Sequence, residues 1–126
     1  MTFVLDTSVL VDHLRRRVSA GEAFMRLIRA GEEIASPVMV RVELARGLRA
    51  HQAAGFESLD LLIAWVPVTL DIGATAVELA ERFGRSHSAI DPVDYVVAAT
   101  ASHLEAALWT TNVRHFPMFP ELEAPY

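Results

Sequence analysis

The sequence lacks three features that whole classes of protein require. It contains no cysteine, which excludes disulfide bonds and thiolate-bound zinc. All 11 of its basic residues are arginine, so mechanisms that need a lysine, among them those of receiver domains and haloacid-dehalogenase-type phosphatases, are disfavoured. The longest apolar run, residues 59–70, contains Asp60 and Pro67 and is too short to span a bilayer. We therefore expect no membrane association.

Length and composition favour one domain that covers residues 1–126. Hydrophobic residues make up 52% of the chain and the mean hydropathy is +0.30, which predicts a buried parallel sheet or an apolar surface that a partner covers. A net charge of −5 argues against binding nucleic acid through overall charge. No basic segment precedes the first apolar run, so we expect no signal peptide and a cytoplasmic protein.

Apolar periodicity predicts strands that alternate with helices. Strands are expected at residues 3–5, 33–35, 65–69 and 107–111, and the tail 116–126 is expected to be irregular or a short strand. Helices are expected from residue 7 to the Arg15–Arg17 run, and at 21–30, 37–49, 53–63, 71–85 and 92–104. This order predicts the α/β class, as a three-layer α/β/α sandwich around a central parallel sheet of four to five strands.

Three acids and one amide fall where strands give way to helices. Asp6 follows the first strand, Glu43 lies in the second turn of the helix after the second strand, Asp94 opens a later helix, and Asn112 follows the last strand. Ligands of such sheets bind beyond the carboxyl ends of the strands. Carboxylates gathered there repel one another unless a divalent cation joins them, and hard oxygen ligands favour Mg²⁺ or Mn²⁺. Hydrolysis of a phosphate ester fits this chemistry.

Simpler interpretations remain open for each acid. Asp6 could only cap the first helix, because Asp-Thr-Ser favours helix starts. Glu43 could pair with Arg46 or Arg49, or face solvent. Asp94 could serve only as a negative charge near a helix N-terminus. Asp91, which precedes a proline, is interpreted as the cap of that helix.

Four segments resemble the motifs of PIN-domain ribonucleases, and in particular of the VapC-type toxins of bacterial toxin–antitoxin pairs. Residues 3–11 are similar to the opening strand, residues 36–47 to the second motif, residues 94–101 to the third and residues 110–116 to the last. No single segment is decisive, but all four occur in order over nearly the whole chain. The resemblance implies a PIN-like fold and metal ligands at Asp6, Glu43 and Asp94.

The last motif departs from the family pattern. The family often carries a fourth acid there, at the position of Asn112 or His115 in this chain. Asn112 could contribute its carbonyl oxygen, and His115 could support the site or be a surface histidine beside Phe116. Thr7, Ser8 and Thr110 are expected to support the site by hydrogen bonds. Whether the site takes one metal ion or two is therefore open.

The resemblance also implies partners and a substrate. These are a cognate VapB-type antitoxin, a second copy of the chain in a homodimer, and RNA, which a metal-activated water would cleave. The arginine candidates for RNA binding are Arg15 to Arg17, Arg41, Arg46 and Arg114, each of which could instead be a solvated helix end. A second hypothesis is a catalytically weakened PIN module that mainly binds its antitoxin or RNA. A third, a phosphatase with Asp6 as nucleophile, is disfavoured by the absence of lysine.

Overall fold

A computed structural model describes all 126 residues and contains one sheet of four parallel strands. The strands are β1 (Thr2–Leu5), β2 (Glu33–Pro37), β3 (Ala64–Val66) and β4 (Ala107–Trp109), and they lie in the order β3-β2-β1-β4. The two strands nearest the N-terminus occupy the centre, which explains why their apolar runs are buried. The expected α/β class and parallel sheet are confirmed.

Six α-helices cover the sheet: α1 (Thr7–Leu14), α2 (Val18–Arg29), α3 (Val38–Arg46), α4 (Ala53–Leu62), α5 (Leu70–Phe83) and α6 (Pro92–His103). Short 3-10 helices lie at Ala50–Gln52 and Val113–His115. Helix α6 packs on β1 and β2 and carries α5 on its outer side, whereas α1 packs against α2 and α3, which in turn contact β2. No helix is both long enough and apolar enough to cross a membrane.

Helix α6 is the centre of the packing. Every residue from Asp94 to Ala101 is buried, so the middle of the helix has no solvent-exposed face. Val97, Ala98 and Ala101 join the main core, which also holds Val4 and Leu5 of β1. Tyr95 and Val96 instead pack in a second apolar cluster against α5. This double burial holds the first turn of α6, and with it Asp94, against the end of β1.

The boundaries differ from the predicted ones at several points. Ser36 and Pro37 belong to β2 rather than to a helix start, because the Ser36 hydroxyl donates to the carbonyl oxygens of Leu5 and Ala35 inside the sheet. The helix that follows ends at Arg46, not near residue 49. Thr69 rather than Asp71 caps α5, since its side chain accepts from the Ile72 amide.

Two further boundary predictions were wrong. Helix α2 starts at Val18, three residues before the expected start at Gly21, although Gly31 follows its end with a positive φ of 71° as expected for a glycine that terminates a helix. The third strand covers only Ala64–Val66, because Pro67 stops the pairing with β2. The tail 116–126 contains no strand.

Candidate metal centre

The register of the sheet brings Asp6 and Thr110 together. Leu5 of β1 pairs with Trp109 of β4, so the residue after each strand lies at the same edge. The Asp6 amide donates to the Trp109 carbonyl at 2.9 Å, which continues the strand pairing by one residue. The Thr110 hydroxyl donates to Asp6 Oδ2 at 2.7 Å. The polar side chains therefore meet where the central strand β1 and the edge strand β4 end, as parallel-sheet topology requires.

Asp6 is the most firmly held carboxylate at this edge. It is 3% exposed and caps α1, since its Oδ1 accepts from the Thr7 amide at 2.8 Å. Its Oδ2 accepts from both Thr110 and the Ser8 hydroxyl, the latter at 3.2 Å. Burial raises the pKa of the Asp6 carboxyl, and the hydrogen bonds from these hydroxyls and the Thr7 amide oppose that rise. Asp6 therefore caps α1, and its buried carboxylate has no ion-pair partner.

Asp94 lies across the site in the first turn of α6. It forms a capping box with Asp91, in which each side chain accepts a 3.1 Å hydrogen bond from the other residue's amide. His115 Nδ1 lies 3.1 Å from Asp94 Oδ2. Burial raises the pKa of Asp94 to about 6, and the neighbouring charges of Asp91 and Asp6 add to this effect while His115 opposes it. The carboxyl group is therefore costly to ionise where it stands.

Glu43 reaches the site from α3 and remains exposed. Its Oε1 accepts from the Thr7 hydroxyl at 2.6 Å, which ties the start of α1 to α3. The alternative pairing with Arg46 or Arg49 is absent from the ion pairs of the structure. Thr7 therefore supports the site through Glu43 with its hydroxyl and through Asp6 with its amide.

These groups line one cavity of about 330 Å³. Its walls include the predicted residues Asn112 and His115 as well as Asp6, Glu43 and Asp94. The complete lining is Asp6, Thr7, Ser8, Val11, Asp12, Arg15, Glu43, Asp91, Asp94, Thr111, Asn112 and His115. Five carboxylates thus face one arginine and one histidine across the cavity.

Two of the five carboxylates were not predicted as site residues. Asp91 caps α6, as expected, but it also lines the cavity, because the residues at the N-terminus of a helix and three positions on share one side of its first turn. Its spacing from Asp94 is the signal that could have revealed it. Asp12 also lines the cavity and accepts from Arg17 at 3.4 Å and from the Tyr126 hydroxyl at 2.6 Å. The hydrogen bond from Tyr126 joins residues 114 positions apart, so no local sequence pattern indicates it.

The arginine candidates are dispersed. Arg15 lines the acidic cavity. Arg41 forms two hydrogen bonds to Asp60, at 2.7 and 3.1 Å, and lies outside that cavity. Arg46 is exposed and Arg114 lines a different cavity near Phe119. Of the six candidates, Arg15 therefore lines the acidic cavity and Arg17 contacts Asp12 of its wall.

The donor set fits a hard divalent cation, although the side chains are not arranged around one. No group of three or more His, Asp or Glu side chains is placed so that it could hold a metal ion as the side chains stand. The charges nevertheless require compensation, since burial and mutual repulsion both disfavour ionised Asp6 and Asp94. Carboxylate oxygens are the ligands that Mg²⁺ and Mn²⁺ prefer.

The amino-acid sequence is similar to those of known proteins along nearly its whole length. The sequence model described as "PIN domain" matches residues 3–119. The chain is 47% identical over 123 residues to ribonuclease VapC19 of Mycobacterium tuberculosis (strain ATCC 25618 / H37Rv), an alignment that covers 98% of each protein.

Two solved structures share the fold at low sequence identity. A chain of a toxin–antitoxin complex from Klebsiella pneumoniae superposes with a TM-score of 0.75 at 21% identity, over 98% of this chain and 97% of the other. A chain of DNA-bound VapBC from Salmonella typhimurium gives 0.78 at 17% identity, over 98% and 96%. Both likenesses concern the fold alone.

Proposed function

Because this chain belongs to the PIN-domain family, we propose that it is an endoribonuclease and the toxin of a type II toxin–antitoxin pair. Its 47% identity to a ribonuclease over nearly the whole of both chains supports the activity. The observation that carries the proposal is the cavity at the carboxyl ends of β1 and β4, where five carboxylates meet a single arginine. We further propose that residues 1–126 form one domain, as the matched segment 3–119 suggests.

Asp6, Glu43 and Asp94 would hold a divalent cation, Mg²⁺ or Mn²⁺. When bound, such an ion activates a water molecule and neutralises charge on a phosphodiester. Thr110 and Ser8 keep the Asp6 carboxylate in one orientation, because both hydroxyls donate to its Oδ2. These hydrogen bonds favour the ionised carboxylate that a metal requires.

Asp91 joins the proposed ligand set as a fourth acid. The sequence has no acid at Asn112 or His115, but Asp91 lines the same cavity, and its charge raises the pKa of both Asp6 and Asp94. It therefore lies close enough to these carboxylates for electrostatic coupling. His115 would restrain Asp94 through its 3.1 Å contact, and Asn112 would present its amide to the cavity.

A cognate VapB-type antitoxin and a second copy of the chain are the proposed protein partners. A structural neighbour from Klebsiella pneumoniae is a toxin–antitoxin complex. Large apolar side chains also lie open to solvent, Leu61 with 88% and Leu70 with 94% of their surface exposed. A partner that binds over these side chains would bury apolar surface that is now exposed to solvent.

A weakened module that mainly binds its antitoxin or RNA is the second candidate. One observation favours it: no three acidic or histidine side chains are arranged to hold an ion as they stand. Under this alternative, divalent cations would have little effect on the protein, and RNA would be bound but not cut.

Cleavage of RNA by antitoxin-free protein separates the two candidates. Single-stranded RNAs are incubated with Mg²⁺ or Mn²⁺, with and without EDTA, beside Asp6→Asn. Asp71→Asn is the matched control, because Asp71 is exposed in the first turn of α5 and lies outside the cavity. The proposed enzyme loses cleavage in EDTA and in Asp6→Asn but keeps it in Asp71→Asn. Binding without cleavage under every condition would favour the module, and cleavage that survives both EDTA and Asp6→Asn would refute the metal mechanism.

A further inference from the structure

A second cavity, of about 340 Å³, lies at the turn between α1 and α2 and has a basic lining. Arg16, Arg17, His13 and His51 contribute to its wall, and no carboxylate does. His51 comes from the 3-10 helix Ala50–Gln52, so the cavity joins segments that are far apart in sequence. In a chain with a net charge of −5, this concentration of basic groups favours an anionic ligand.

Three of these four basic side chains, all but Arg17, are free of ionic partners. Neither Arg16 nor His51 takes part in any of the ion pairs of the structure. Arg17 is different, since it contacts Asp12 at 3.4 Å and lies over the Tyr126 ring. Arg16 is also exposed, so an anion can reach it without displacing an internal contact. The positive charge of the cavity therefore comes mainly from Arg16.

A smaller groove of about 130 Å³ lies beside both the basic cavity and the acidic one. The groove shares Arg15 and Glu43 with the acidic cavity, and it shares Leu14 and Gln52 with the basic cavity. The three depressions follow the length of α1, whose eight residues span about 12 Å.

We propose that the basic cavity binds a backbone phosphate of the RNA strand about 12 Å, the length of α1, from the bond that is cut. The proposal rests on the proposed ribonuclease function. It gives the two ends of the groove different roles, because carboxylates bind the metal at one end and Arg16 binds a phosphate at the other. A polyanionic strand suits this arrangement better than a protein segment does, because only two of the nine residues that line the basic cavity are hydrophobic. Arg15, in the groove between, contacts the intervening backbone.

Binding of RNAs of two lengths tests the proposal without requiring cleavage. Fluorescence anisotropy in EDTA would measure the affinity of the full chain for single-stranded RNAs of about 2 and about 12 nucleotides. The variant is Arg16→Glu. The matched control is Arg29→Glu, which makes the same charge change at the exposed far end of α2 and outside all three depressions. Circular dichroism spectra establish that both variants are folded.

The wild type should bind the longer RNA more tightly than the shorter one, and Arg16→Glu should weaken binding of the longer RNA about five- to tenfold more than Arg29→Glu does. The slope of log affinity against log salt should fall by about 0.7 in Arg16→Glu, as expected when one phosphate contact is lost. Affinity for the short RNA, which does not reach the cavity, should be the same in both variants.

Three results would overturn the proposal. The first is that Arg16→Glu and Arg29→Glu change the affinity for both RNAs equally, and the second is that the wild type binds neither RNA. The third is that Arg16→Glu weakens the binding of an antitoxin peptide but leaves RNA binding unchanged. The last result would identify the cavity as a protein-docking site. If the wild type binds and cleaves RNA but the two variants behave alike, the ribonuclease function stands and only the phosphate site fails.

Discussion

Replacement of Thr110 by valine tests how the site holds its central carboxylate. Thr110 is fully buried, and its hydroxyl both donates to Asp6 Oδ2 at 2.7 Å and accepts from the Asn112 amide at 3.0 Å. Valine has nearly the same shape and lacks the hydroxyl. The variant therefore removes a hydrogen bond to a buried carboxylate and leaves a backbone amide without its acceptor, while the packing is preserved.

The size of the effect follows from these two contacts. A hydrogen bond to a charged group contributes about 1.5 to 3 kcal/mol, and the stranded amide adds about 1 kcal/mol. The expected loss in the free energy of unfolding is thus about 2 to 4 kcal/mol in metal-free protein at neutral pH. For a domain of this length, that corresponds to a decrease in Tm of roughly 6 to 15 °C. Cleavage should also fall, by about 10- to 100-fold, since the carboxylate loses a restraint.

Thr100→Val is the matched control. Thr100 is equally buried and donates at 2.7 Å, but its acceptor is the Val96 carbonyl one turn earlier in α6, a neutral group that also serves the helix backbone. Its replacement should cost less than about 1 kcal/mol. Thermal and urea unfolding followed by circular dichroism in EDTA would compare the two variants with the wild type. Equal destabilisation by Thr110→Val and Thr100→Val would refute the assigned role of Thr110.

Three other perturbations have expected outcomes. Burial raises the pKa of Asp94 to about 6, so the native state retains a proton that the unfolded chain releases, and the free energy of unfolding should fall as pH rises from about 4 to about 6. Urea unfolding across this pH range should show a smaller fall in Asp94→Asn than in the wild type. An equal fall in the two proteins would contradict the assigned pKa of Asp94. Tyr126→Phe removes the 2.6 Å hydrogen bond to Asp12 and should cost about 1 kcal/mol in urea unfolding, whereas no change would mean that the tail contributes nothing there. Glu43→Gln should abolish metal-dependent cleavage in a gel assay, and because Glu43 is exposed it should change the free energy of unfolding by less than about 0.5 kcal/mol. The control Glu81→Gln, at an exposed position of α5, should alter neither cleavage nor stability. Similar cleavage by the two variants would show that Glu43 is not part of the site.

The parts of the fold that depend on short-range signals were predictable. An apolar run that ends in Asp6 indicated a strand followed by a capped helix, and Asp91-Pro92 indicated the start of α6. The start of α3 was not predictable from such signals, because Ser36-Pro37 is a typical helix start but belongs to β2 in this chain. Only the position of Ser36 beside β1 in the folded chain, where its hydroxyl bonds the Leu5 carbonyl, shows that it belongs to the sheet.

The site was predictable to the extent that it depends on topology. Parallel strands place their carboxyl ends at one edge, so Asp6 and Asn112 had to be near one another, and the helices that follow bring Glu43 and Asp94. Pairings across the surface left no such signal. The ion pair between Arg41 and Asp60 joins α3 to α4, and Arg41 does not line the acidic cavity.

The basic cavity could not be predicted as a cavity. The run Arg15–Arg17 is visible in the sequence, yet only the fold separates its members: Arg15 faces the acidic cavity, and Arg16 and Arg17 face the basic one. His51 is more than 30 positions away, and local sequence gives no indication that it joins them.

One titration tests the central claim, that the carboxylates of Asp6, Glu43 and Asp94 bind a divalent cation which RNA cleavage requires. Antitoxin-free protein would be titrated with Mn²⁺ while ion binding, by calorimetry, and the rate of RNA cleavage are followed under the same conditions. The two curves should share one midpoint in the wild type and in Asp71→Asn, and both should vanish in Asp6→Asn. Cleavage that persists in Asp6→Asn, or Mn²⁺ binding that is unaffected by this replacement, would contradict the account.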